Sequence, residues 1–356
     1  GDVMPSVGIV GWSSPTGLGS MNFDIAKHGT SRPLGRWVQK WLIPRHPVCG
    51  ANPVEIDGLE CRTIRDVNDP SQNQWLVDSM DAILFVEQPY MRSWGFLAQY
   101  RRNGGKVICI PMHEWFHHDL LWLDEVDAIV AVNRTCLNWA NEVAATRMRK
   151  TPWKDRIWHL QWGVDCAKFR PRQIEKANTF LFCNGYGGVH GRKGLEAVVE
   201  VAKACPEVQF ILRTQKRVDV NLQNVEMIVG GCADNRDLYS RGDVLLAPSK
   251  FEGLGLHTLE AAACGMPAIV TNGGPMNEGP CAWLVDAKPS KTRIGLRDLD
   301  QWSVDIPAFV ELVRSIHETD VSHHSKDVRE AAETWTVQHA INEIGLAIGS
   351  MVAGAS

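Results

Sequence analysis

Two carboxylates eight residues apart, Glu252 and Glu260, sit in Ser249-Lys-Phe-Glu-Gly-Leu-Gly-Leu-His-Thr-Leu-Glu-Ala-Ala-Ala-Cys-Gly-Met-Pro267. The chemistry they could do depends on the elements that hold them. The preceding run Asp243-Val-Leu-Leu-Ala-Pro-Ser249 is short, apolar and stopped by Pro248, as a buried parallel strand is. Gly253 and Gly255 free the backbone for a tight turn and for close approach by a ligand, with Leu254 and Leu256 between and after them. Thr258 is a candidate N-cap for a helix that runs through Leu259-Glu-Ala-Ala-Ala-Cys264 to a stop at Gly265. Such a strand–loop–helix turns free N–H groups and a positive helix end toward its ligand, which favours an anion. One carboxylate opens the loop, and the second is expected in the first turn of the helix.

This spacing resembles the E-x7-E signature of the large family-four retaining glycosyltransferases of GT-B fold. Three further segments fall in that family's order. Asn184-Gly-Tyr-Gly-Gly-Val-His-Gly-Arg-Lys-Gly194 resembles its phosphate-binding loop, and Gly273-Gly-Pro-Met-Asn-Glu278, with one residue more before the glutamate, resembles its G-G-x-x-E turn. Gly163-Val-Asp-Cys-Ala-Lys-Phe-Arg-Pro171 is similar to its inter-domain hinge. The resemblance covers residues 160–285 most strongly. It implies two Rossmann-like, doubly wound α/β domains facing a deep cleft, with a nucleoside diphosphate sugar as co-substrate, UDP-sugar first among the options, and no catalytic metal. It implies sugar transfer with retention of configuration.

Carried over residue by residue, the resemblance sets Glu252 and His113 at the transferred sugar and Glu260 on the ribose. Arg192 and Lys193 fall on the diphosphate, with Gly253, Leu254, Gly255 and Leu256 lining the donor. Gly17 and Gly19, in the first strand–helix turn, face the same donor. The family places arginine where Tyr186 follows Gly185 here, so Arg192, or Arg213 from the next strand end, is left to make that contact.

Composition agrees with two domains. The chain has 356 residues and a formal net charge of −4, which supplies no bulk attraction for nucleic acid. No apolar run reaches the roughly 18 residues of a membrane span, and the first residues show no basic region followed by an apolar one, so neither a membrane segment nor a signal peptide is expected. Ten scattered cysteines fit reduced thiols, and with them a cytoplasmic chain. Apolar runs alternate with helical spacing throughout. They suggest an acceptor-side domain over residues 1–165, a donor domain over 166–330, and a last helix over 331–356 that crosses back to the first domain.

Two signals compete with this picture. His113-Glu-Trp-Phe-His117 matches the H-E-x-x-H pattern of zinc hydrolases, but it starts two residues after Pro111 at a strand end, where a loop is expected and not a helix interior. A nucleotide-sugar-binding protein without turnover is the other alternative. For the acceptor, eleven of the fourteen tryptophans lie at or before residue 162. Arg36, Trp37, Lys40 and Trp41, in the segment 32–45, combine i,i+4 indoles with cations. That strip could lie on an anionic membrane, stack on sugars, or grip a DNA backbone and a base. Arg147, Arg149, Lys150, Lys154 and Arg156 form a second basic group. The acceptor is therefore open among a lipid phosphate, an anionic glycan and a hydroxymethylated base in DNA.

Overall fold

The computed structural model describes residues 4–31, 35–66, 68–91, 94–187 and 191–354, without the side chains of Ser31 and Trp94. The chain divides into two compact units, one of Gly1–Trp162 with Val337–Ser356 and one of Gly163–Thr336.

In the first unit, β1 (Val7–Val10), β4 (Val38–Pro44), β5 (Glu60–Ile64), β6 (Ala82–Val86), β7 (Lys106–Ile110), β8 (Ala128–Ala131) and β9 (Ile157–His159) form a parallel sheet. Its order is β5-β4-β1-β6-β7-β8-β9. A short antiparallel pair, β2 (Thr30–Ser31) with β3 (Gly35–Arg36), stands beside it. β1, β6 and β8 are buried along their whole length, which explains why they read as continuous apolar runs. Side-chain oxygens open the helices between them. Thr16 caps α1 (Gly17–His28), Asp69 caps α2 (Pro70–Val77) and Asn133 caps α4 (Arg134–Thr146), with α3 (Trp94–Arg102) following β6.

In the second unit the sheet order is β12-β11-β10-β13-β14-β15, built from β10 (Thr179–Gly185), β11 (Gln209–Thr214), β12 (Val225–Val229), β13 (Val244–Ala247), β14 (Ala268–Thr271) and β15 (Trp283–Val285). That is the 3-2-1-4-5-6 order of a doubly wound dinucleotide-type sheet, and its direction of winding reverses between β10 and β13. α5 (Leu195–Ala204) follows β10 and α6 (Leu256–Ala263) follows β13. A separate antiparallel hairpin, β16 (Ala287–Ile294) and β17 (Arg297–Val304), precedes α7 (Ile306–Ile316) and α8 (Ser322–Thr334). The segment at Gly163 is fixed in this unit, because Val164 N–H donates to the Trp335 carbonyl at 2.8 Å.

α9 (Val337–Val352) returns to the first unit. It buries Ile341, Ile344 and Ile348, and a methyl group on its Gly345 would meet the Trp37 ring at 2.7 Å.

Candidate functional site

Parallel sheets of this order gather ligands at the carboxyl ends of the strands, where the winding reverses. In the second unit that point is flanked by the loops after β10 and β13, which carry the motifs. Each loop ends in a left-handed glycine that starts a helix, Gly194 at φ 81° for α5 and Gly255 at φ 74° for α6, and neither helix start has a side-chain cap. The N–H groups of two helix starts are thus not consumed by a capping side chain. α6 begins at Leu256, so Thr258 lies inside the helix and not at its cap, and Glu260 falls in the second turn. The glycine outcompetes threonine here because only the left-handed turn brings the chain from β13 into α6. The two loops touch: Lys250 N–H donates to the Arg192 carbonyl at 2.7 Å, and a methyl group at Gly194 would meet the Pro248 carbonyl oxygen at 2.3 Å.

Glu252 is 4% exposed. Its Oε1 accepts from Lys193 Nζ at 2.6 Å and from Ser249 Oγ at 2.9 Å. Burial alone would raise its carboxyl, but the charges of Lys193 and then Arg192 more than offset that and hold it at about 2. His257 is pushed down to about 3, by burial and then by Lys193, so its imidazole is neutral at ordinary pH. Glu260 lies on the other flank. Tyr239 OH donates to its Oε1 at 3.4 Å, and Asn235 Nδ2 to its Oε2 at 3.3 Å. Arg213 uses its guanidinium on this flank, donating to the Asp237 carbonyl at 3.1 Å and the Cys232 thiol at 3.5 Å. The structure therefore joins Lys193 to Glu252 and brings the loop with Arg192 against the one that runs on through Gly253, Leu254, Gly255 and Leu256, while Glu260 and Arg213 contact residues of the segment 232–239. Glu278 ends a 3-10 turn, Met276–Glu278, after β14. Gly188, Val189 and His190 of the phosphate-type loop lie outside the described residues.

In the first unit, Gly17 opens α1 beneath the Thr16 cap, whose hydroxyl accepts from Gly19 N–H at 3.1 Å. Gly19 is needed for packing: a methyl group there would meet the Ser14 carbonyl oxygen at 1.8 Å. His113 is buried at the end of β7, with its ring edge-on to Trp139 at 6.4 Å. The H-E-x-x-H segment is a 3-10 turn, His113–Trp115, followed by extended Phe116, so its histidines do not share an α-helical face. His117 Nδ1 accepts from Asp119 N–H at 3.0 Å, and its ring stacks on His118.

The basic, aromatic strip is corrected by the structure. Trp37 and Trp41 are 0% exposed, the second inside β4 with its indole donating to the Gly11 carbonyl at 2.9 Å, so neither ring offers a face for stacking. The cations serve helix ends. Lys40 Nζ donates to the carbonyls of Trp75 and Asp78 at the end of α2, at 2.9 and 2.8 Å. Arg36 donates to the Ala26 carbonyl in the last turn of α1 and to the Asp57 carbonyl at 3.1 Å. Arg32, Pro33 and Leu34 lie outside the described residues. In the second basic group, Arg147 and Arg149 are spent on Asp124, at 2.5 and 2.6 Å.

Sequence reasoning missed Ser249, His257, Asn235 and Tyr239. Only His257 carried a signal, as an imidazole within the glycine-rich motif. It also missed an aromatic group at the carboxyl ends of the first sheet. Trp12, after β1, packs on His46 at 4.4 Å and on Tyr90 at 4.9 Å. Tyr90 and Glu87, after β6, both hold left-handed backbone, at φ 52° and 72°. Such conformations in non-glycine residues concentrate at binding sites.

Residues 189–294 match the family model described as Glycosyl transferases group 1. The chain is 26% identical over 208 residues to UDP-Gal:alpha-D-GlcNAc-diphosphoundecaprenol alpha-1,3-galactosyltransferase from Escherichia coli, covering 51% of this chain and 52% of that one. It is 30% identical over 248 residues to GDP-mannose-dependent alpha-(1-6)-phosphatidylinositol dimannoside mannosyltransferase from Mycobacterium tuberculosis, covering 61% and 60%. The chain thus spans about half the length of the first of these relatives and three-fifths of the second. Sucrose-phosphate synthase from Thermosynechococcus elongatus matches in structure with a TM-score of 0.65 and 15% identity, over 99% of this chain and all of that one. That likeness is of fold, two Rossmann-like units of the GT-B type.

Proposed function

We propose that this chain is a glycosyltransferase that moves a sugar from a nucleoside diphosphate sugar to a hydroxyl acceptor with retention of configuration. The observation that carries the reading is the buried Glu252 carboxylate, paired with Lys193 at 2.6 Å between two helix starts without side-chain caps. Held at about 2, Glu252 is an anion at working pH. It is suited to accept hydrogen bonds from sugar hydroxyls, not to exchange protons. Arg192, Lys193 and the N-termini of α5 and α6 receive the diphosphate and stabilise the charge that develops on it as it leaves. Glu260, backed by Asn235 and Tyr239, takes the ribose hydroxyls. The bond from the anomeric carbon to the phosphate oxygen breaks, the acceptor oxygen bonds that carbon from the same face, and the acceptor proton passes to the leaving phosphate. In this reading the protein's own cations do what a catalytic metal would otherwise do.

The acceptor falls to the first unit, and the half-buried group of Trp12, His46 and Tyr90 replaces the buried strip as its candidate residues. Both named relatives act on lipid-linked anionic glycans, which favours an acceptor of that class over a DNA base. A thermal-shift screen with UDP-, GDP-, ADP- and TDP-sugars tests the donor, since ligand at a hundredfold its Kd adds about 2.7 kcal/mol. Transfer to a lipid-linked glycan that survives EDTA is the expected result. No stabilisation by any nucleotide would sink the reading, whereas transfer to 5-hydroxymethylated duplex DNA would redirect the acceptor.

A further inference from the structure

The segment that carries Glu252 has no regular structure between the end of β13 at Ala247 and the start of α6 at Leu256. Its position is set by what touches it, and the β16–β17 hairpin supplies two of those contacts. Trp302 N–H donates to the Lys250 carbonyl at 2.8 Å, two residues before Glu252. Phe251, next to Glu252, is 2% exposed and is buried with Ile294 and Leu299, one from each strand of the hairpin. The same hairpin reaches the neighbouring motif turn. A methyl group at Gly273 would meet the Trp302 ring at 2.4 Å, so the indole lies directly on that glycine.

The hairpin belongs to neither large sheet. An isolated two-stranded ribbon is marginal in water, so its order comes from this packing as well as from its own register. Eight paired positions run from Ala287–Val304 to Ile294–Arg297. On its exposed residues Lys291 pairs with Asp300 and Arg293 with Asp298. Among the described residues, the contacts that seat it include those to Lys250, Phe251 and Gly273. Tyr239 and Asn235, the partners of Glu260, come from a different loop, after β12.

We propose that the β16–β17 hairpin is a positioning strut for the Glu252 carboxylate, with Leu299 and Trp302 as its contact residues. It holds the Lys250–Gly253 backbone so that the carboxylate meets the transferred sugar. This rests on the reading of the second unit as a nucleoside diphosphate sugar site, and it separates the two halves of that ligand. Loosening the strut disturbs recognition of the sugar and leaves recognition of the nucleoside diphosphate in place.

The test uses the full chain with Leu299→Ala, Trp302→Phe and the conservative Leu299→Met. Backbone hydrogen exchange is read without ligand, and dissociation constants are measured for UDP against UDP-glucose and for GDP against GDP-mannose. In Leu299→Ala, exchange at residues 250–255 rises about tenfold or more while β10 and β13 keep their protection. The affinity for the bare diphosphate stays within about twofold, while the extra affinity and turnover that the sugar brings fall by about fivefold or more. Leu299→Met restores both. Unchanged exchange in the loop overturns the proposal, as does an equal loss of diphosphate and diphosphate-sugar binding. Should Leu299→Ala fail to fold, Trp302→Phe must show the same split between sugar and diphosphate, and a parallel loss there overturns it. If the wild-type chain binds no nucleotide, the functional reading falls, and the exchange comparison still decides whether the hairpin holds the loop.

Discussion

A carboxylate held at about 2 keeps its charge wherever the protein is folded, so Glu252 and Glu260 should fail differently when removed. Glu252→Ala is expected to abolish transfer. Glu260→Ala should mainly weaken donor binding, by about 1.5–3 kcal/mol for a lost charge-assisted hydrogen bond. Isothermal titration with donor, beside turnover, separates the two. His257 gives a pH test. Its folded value of about 3 lies below its ordinary 6.5, so between those limits the unfolded chain binds the extra proton. Stability from this group is complete above about 6.5 and is lost as pH falls toward 3. Glu252, depressed from 4.5 to about 2, adds a second loss between those values. Melting temperature should therefore drop from pH 6.5 to 4.5, before Glu252 begins to titrate, and His257→Gln should flatten that part of the curve.

At the scale of elements, α5 and α6 differ from α1, α2, α4 and α7, whose first turns are capped by Thr16, Asp69, Asn133 and Asp305. A helix start opened by glycine leaves its N–H groups for a ligand and concentrates partial positive charge beside Arg192 and Lys193. Lys193→Ala and Arg192→Ala should each raise the Kd of a nucleoside diphosphate far more than that of the bare nucleoside. Equal losses on both ligands would place these cations elsewhere. β4 is the opposite case, an element whose aromatic and basic residues serve the fold. Trp41→Ala should cost about 3–5 kcal/mol of stability, as emptying a buried aromatic site does. Acceptor use by Lys40→Ala should be no more salt-sensitive than wild type, because its ammonium is bound to carbonyls at the end of α2.

At the scale of the molecule, the first unit is completed by residues from the far end of the chain. α9 lays Gly345 on Trp37, which is itself fully buried. Gly345→Ala drives a methyl group into that ring and should cost about 1–3 kcal/mol. Hydrogen exchange should show the loss in β1 and β4, with β10 and β13 of the second unit unaffected and UDP affinity unchanged. A uniform loss across both sheets would mean that the two units unfold together.

The strands and the loops that follow them were legible in the sequence because the signal is local. A strand buried on both faces must be an uninterrupted apolar run, as β6 and β13 are, and a glycine-rich segment at its end must be a turn. Lys193, Glu252 and Gly255 could be placed at one site on that basis, with the family resemblance supplying their order. Only tertiary structure decided the rest, because each remaining feature depends on partners distant in sequence. The strip at 36–41 has the same residue types whether its indoles face solvent or core, and packing in β4 and against α9 turned them inward. Glu260 acquired Asn235 and Tyr239 from the loop after β12, a pairing that no spacing announces. The start of α6 moved from Thr258 to Gly255 because the path out of β13 needs a left-handed residue, a requirement of the connection and not of helix propensity. The hairpin's hold on Phe251 arises only when residues 294–302 fold back on the loop at 250–251, far earlier in the chain.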